Sequence, residues 1–107
     1  MFGLGKKIDV DAITKELEAD EAYLVDVRGN DEWDALHAKG ALHLSVDRIM
    51  NGEVPIADTS KKLYLYCASG GRASMAAAKL QSKGFSVENL GGLSGWKNAG
   101  GATESGM

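Results

Sequence analysis

Apolar and polar positions along this chain switch repeatedly between the helical and the extended period. Ile13 and Leu17 fall four apart on one face, and Asp9 stands where an N-cap belongs, so the spacing predicts a helix over Val10–Ala19. Tyr23-Leu24-Val25-Asp26-Val27 is a β-branched apolar run and predicts a buried strand. A short helix is expected from Asn30 or Asp31 to Leu36, turning Trp33 inward. Ala41–Val46 alternates as a strand does, Asp47–Asn51 reads as a helical turn, and Pro55 punctuates a loop to Ser60. The apolar run Leu63–Tyr66 predicts a further strand, and the pattern Ala73–Lys83, stopped by Gly84, a helix. Phe85–Leu90 reads as a strand, Gly91-Gly92 as a turn and Leu93–Ala99 as a last short helix. Ile8 adds a short strand at the start, and the glycine-rich stretch from Gly100 to Met107 is expected to be loose.

Strands that alternate with helices imply an α/β domain with a mainly parallel sheet, here five-stranded, flanked by helices on both faces. At 107 residues the chain is read as one domain, with its core about residues 8–100 and a loose tail over 101–107. Ligands of such sheets bind beyond the carboxyl ends of the strands. Asp26 and Cys67 both stand at such ends, so the two chemically interesting positions are expected on one edge of the fold.

Composition narrows the function classes. A net charge of −3 with no basic block argues against nucleic-acid binding. No apolar run approaches membrane-spanning length, and Met1–Lys7 lacks the apolar stretch of a secretory signal, so a cytoplasmic location is expected. One cysteine makes no internal disulfide, and the absence of a Cys/His cluster predicts neither metal nor cofactor.

That cysteine carries the chemistry. It opens Cys67-Ala68-Ser69-Gly70-Gly71-Arg72, with a strand leading in and a helix leading out. A strand that ends in a cysteine before a short glycine-bearing loop and a helix N-terminus places amide donors around one sulfur. Those donors favour the thiolate, the nucleophilic form. No histidine adjoins Cys67 to act as a base, so backbone amides and the helix end are the available means of ionising it. Ser69 can donate a hydrogen bond, and the Arg72 fork can bind a sulfonate or tie loop carbonyls and carboxylates. His37 and His43 read as packing and hydrogen-bonding residues, and Trp33 and Trp96 as core or core-edge aromatics.

Three motifs in order resemble the rhodanese family. Leu24-Val25-Asp26-Val27-Arg28 with Glu32-Trp33 and His37-Ala38-Lys39-Gly40-Ala41 resembles the first half of its signature. Cys67–Arg72 resembles its active-site loop, and Gly84-Phe85 with Asn89–Trp96 its closing segment. The likeness runs from about Ile8 to Gly100, and the chain resembles the single-domain bacterial thiosulfate sulfurtransferases in particular. Leu36-His37-Ala38 stands where the family usually has Gly-His-Ile, and Ser45 where it often has proline; both lie away from the loop.

The resemblance implies transfer of the sulfane sulfur of thiosulfate through a Cys67 persulfide to cyanide or a thiol. Ala68, Ser69, Gly70, Gly71 and Arg72 would form the substrate cradle, with Asp26 and Arg28 supporting it from behind. A persulfide carrier serving thioredoxin or a sulfur-relay protein is the alternative. A cysteine phosphatase or arsenate reductase is a further one. The four residues between Cys67 and Arg72 disfavour it, because related phosphatases have five there, a wider cradle for a tetrahedral phosphate.

Overall fold

The computed structural model describes residues 7–106; residues 1–6, which bear on targeting, and Met107 lie outside that range. The chain runs α1 (Val10–Glu18), β1 (Ala22–Asp26), α2 (Asn30–Ala35), β2 (His37–Ala38), β3 (Leu42–His43), α3 (Val46–Met50), β4 (Lys62–Cys67), α4 (Gly71–Ser82), β5 (Ser86–Gly92), α5 (Leu93–Asn98) and β6 (Thr103–Glu104). The Asp9 carboxylate accepts from the Ala12 amide at 3.0 Å and so caps α1 as its position predicts.

The central sheet has the order β3-β1-β4-β5, and every pairing in it is parallel. Side chains alternate across it into two cores. Leu63, Leu65 and Cys67 of β4 face Ile49 of α3 and Ala73, Ala76 and Leu80 of α4. Tyr64 and Tyr66 point the other way, to Ile13 of α1 and Leu93 and Trp96 of α5. Helices therefore cover both faces, and the central strands are apolar on both sides, as a parallel sheet requires.

The sheet differs from expectation in three places. It has four strands, not five, because among the described residues Ile8 makes no strand pairing. Its side chain is instead drawn into the α1–α5 core, close enough to Gly95 that a Cβ there would lie 3.3 Å from Ile8 Cδ1. The strand expected over Ala41–Val46 shrinks to Leu42–His43, because the chain turns into α3 at Val46. Gly91-Gly92 is no turn but the end of β5, where Gly92 pairs with Cys67 across a register shift.

The tail is not loose over its described residues. Thr103–Glu104 pairs antiparallel with His37–Ala38 as a second, two-stranded sheet. The Ala102 carbonyl accepts from both the Lys39 amide and the Trp96 indole, each at 2.9 Å. Gly101 lies so close to the Trp96 ring that a Cβ would sit 2.2 Å from it. Buried polar groups elsewhere in the chain thus find their partners in the tail, which glycine content could not foretell.

Candidate active site

Cys67 ends β4, and the expected loop is shorter than the motif suggests. Helix α4 already begins at Gly71, with Gly70 as its N-cap at φ 104°, ψ −15°. Only Ala68, Ser69 and Gly70 therefore lie between strand and helix, and Arg72 belongs to the first helical turn. The positive φ is a conformation that glycine alone adopts without strain. It turns the Gly70 amide back onto the sulfur at 3.0 Å, and the Ala73 amide reaches the same atom at 3.4 Å. The amides of Ser69 and Arg72 face it as well. Burial, which leaves Cys67 only 1% exposed, pushes its thiol up, but these four amides outweigh it and hold the thiol below its ordinary value.

The loop is braced on two sides. Arg72 makes a bidentate pair with Glu32 of α2, at 2.7 and 2.9 Å. Glu32 also accepts from the Gly29 amide at 3.2 Å, so one carboxylate ties the start of α2 to the start of α4. The Arg72 fork holds the Glu32 carboxyl down to about 2, helped by the Gly29 amide. On the other side stands the end of β5. Gly92 has no side chain, which is what lets the Ala68 carbonyl lie where a Cβ would come within 2.2 Å of it.

Asp26 and Arg28 form a different unit. Asp26 is fully buried and Arg28 is 7% exposed. The Arg28 guanidinium donates to both Asp26 oxygens, at 2.7 to 3.0 Å, and to the Leu36 carbonyl at 2.6 Å. The Tyr66 hydroxyl donates to Asp26 at 2.7 Å and accepts from the Ala38 amide at 2.9 Å. No described hydrogen bond runs from Asp26 or Arg28 to residues 68–72. Their connection to the loop passes through Tyr66, the residue before Cys67.

Trp33 stacks on His37 at 3.5 Å between ring centroids and on His43 at 4.9 Å. His37 Nδ1 faces the Trp33 carbonyl at 2.8 Å, and its Nε2 faces Glu104 at 3.3 Å. Both histidines thus pack and hydrogen-bond. An open groove of about 680 Å³ lies along the loop, lined by Ser69, Gly70 and Asn89 together with Ile8, Asp9 and Ala12.

A cysteine sulfur faced by loop and helix amides at the end of a parallel strand is the arrangement that the sequence motifs imply. A family model for the rhodanese-like domain matches residues 9–99. This chain belongs to the rhodanese family. It is 32% identical over 96 residues to a thiosulfate sulfurtransferase, GlpE, of Vibrio cholerae, covering 86% of this chain and 88% of that one. It is 26% identical over 80 residues to a putative sulfur carrier protein, YrkF, of Bacillus subtilis, covering 74% of this chain and 43% of the other. Among solved structures, the Alr3790 protein of Anabaena sp. superposes with a TM-score of 0.78 at 29% identity, covering 94% of this chain and 81% of that one. The chain spans less than half the length of several curated relatives, from 14% to 43%.

In this rhodanese-like domain the expected positions are brought together unevenly. Cys67 and the five residues after it form one cradle, whereas Asp26 and Arg28 form a neighbouring buried network. Glu32, Tyr66 and Asn89 had no expected role. Glu32 reaches Arg72 across 40 positions and Asn89 reaches Gly70 across 19, so no local spacing signals either. Among the described residues no helix is long and apolar enough to cross a membrane.

Proposed function

We propose that this domain is a sulfurtransferase that moves the sulfane sulfur of thiosulfate through a persulfide on Cys67 to cyanide or a thiol acceptor. The observation that carries this reading is the Cys67 sulfur, which receives the Gly70 and Ala73 amides at 3.0 and 3.4 Å with no side-chain base among its hydrogen-bond partners. The Cys67 thiolate attacks the outer sulfur of thiosulfate. A bond forms between the two sulfurs, and the bond to the sulfonate sulfur breaks. Sulfite leaves with that electron pair, needing no proton from the protein. The outer sulfur of the persulfide, now anionic, is stabilised by the same amides. Attack on it by cyanide forms thiocyanate and returns the thiolate.

A second reading has its own observation. Glu32 pairs Nη1 and Nη2 of Arg72, and Asp26 pairs Arg28, so each positive charge near the loop already has a carboxylate counter-charge. That favours a donor or acceptor presented by a protein, as in a sulfur carrier or relay module. Thioredoxin is one candidate partner for that exchange. Intact mass after incubation with thiosulfate separates the two. A gain of one sulfur that cyanide removes supports the thiosulfate cycle. No gain, with Cys67 still alkylatable, overturns it in favour of the carrier.

A further inference from the structure

Gly70 is the residue on which the cradle turns, and a glycine at positive φ has more conformational freedom than any other residue. Something must hold it. Its carbonyl accepts from Ser74, the first bond of α4, at 2.9 Å, and also from Asn89 Nδ2 of β5 at 3.0 Å. The second Nδ2 hydrogen goes to Ser74 Oγ at 3.0 Å. Asn89 Oδ1 accepts from the Gly91 amide at 2.8 Å. Carboxamide orientation is fixed by these partners, since a carbonyl can only accept and an amide N–H can only donate.

We infer that Asn89 is a positioning residue for the Cys67 sulfur, acting through Gly70. The carboxamide pins the peptide plane that follows Gly70. With that plane fixed, the φ of Gly70 decides where its own N–H points, and it points at Sγ. Without Asn89, one of two donors on the Gly70 carbonyl is lost, and rotation at the glycine carries its N–H off the sulfur. The inference goes beyond the sulfur-transfer reading and rests on it only for the effect on turnover; the effect on the thiol stands apart.

The test is the pH dependence of Cys67 alkylation by iodoacetamide in Asn89→Ala. The charged and polar groups around the sulfur, Arg72 with its partner Glu32, are left in place. Asn89 is exposed, so the variant is expected to fold. The alkylation midpoint should rise by about half to one pH unit, a three- to ten-fold slower reaction below it. Asn89→Ser keeps a side-chain acceptor for the Gly91 amide but replaces the two Nδ2 donors with one hydroxyl on a shorter side chain, and should show the same rise. Ser74→Ala removes the other Nδ2 partner and should leave the midpoint in place. An unmoved midpoint in folded Asn89→Ala and Asn89→Ser, with only the melting temperature lowered, overturns the inference. A raised midpoint in a protein whose wild type accepts no sulfur from thiosulfate keeps the positioning role and removes the thiosulfate reading instead.

Discussion

Gly92→Ala isolates the close approach of β5 to the loop. Gly92 sits at φ −115°, ψ 165°, extended backbone open to alanine, so the substitution brings no dihedral strain. Only the collision remains. The new Cβ would lie 2.2 Å from the Ala68 carbonyl oxygen, 2.9 Å from its carbon and 3.5 Å from Ser69 Cα. Bringing the oxygen to 3.4 Å, the near edge of ordinary contact, takes a displacement of about 1.2 Å (3.4 minus 2.2). All three obstacles are backbone, so no side chain can swing aside. The peptide that must move also carries the Ser69 amide, one of the four facing the sulfur. Overpacking of this kind costs about 1–3 kcal/mol of stability. A 1 Å misplacement at a reacting centre costs on the order of a hundredfold in rate. Urea unfolding and thiocyanate formation, measured on the same preparation, separate the two effects. A folded Gly92→Ala protein with the wild-type rate would refute the reasoning, because the cradle would then tolerate the shift that the geometry forbids.

Other outcomes follow from the same structure. Cys67→Ser should abolish sulfur transfer and leave the fold intact; retained thiocyanate formation would remove Cys67 from the reaction. Asp26→Asn leaves Arg28 buried without its counter-charge and should cost about 3–5 kcal/mol in a denaturation experiment, a figure that a near-wild-type midpoint would contradict. The Arg72–Glu32 clamp is acid-sensitive, because Glu32 has a folded-state value of about 2 against an ordinary 4.5. Its contribution is therefore complete above 4.5 and disappears as the pH falls through about 2. Both side chains are more than a third exposed, so solvent screening limits the contribution to about 1 kcal/mol or less. The stability gap between wild type and Glu32→Gln should close across that window. A gap that persists at the acid end would show that Glu32 acts by packing.

The sequence by itself determined most of the elements and the strand–loop–helix setting of Cys67. Apolar runs such as Leu63–Tyr66, and spacings such as Ile13 and Leu17, report locally because strand and helix periods are properties of neighbouring residues. Cys67 was legible for the same reason: strand, loop and helix N-terminus are contiguous, and the amides that face the sulfur all lie within six residues of it. What the tertiary structure alone decided lies at long sequence separation. It placed Glu32 on Arg72, Asn89 on Gly70 and Gly92 under Ala68, and it linked Asp26 to the strand that leads into the loop through the Tyr66 hydroxyl. It also drew Ile8 away from the sheet and anchored the glycine-rich tail on His37 and Trp96. Each depends on which buried polar group or apolar face lacks a partner once the sheet has formed, and that is a property of the assembled fold, not of any local window.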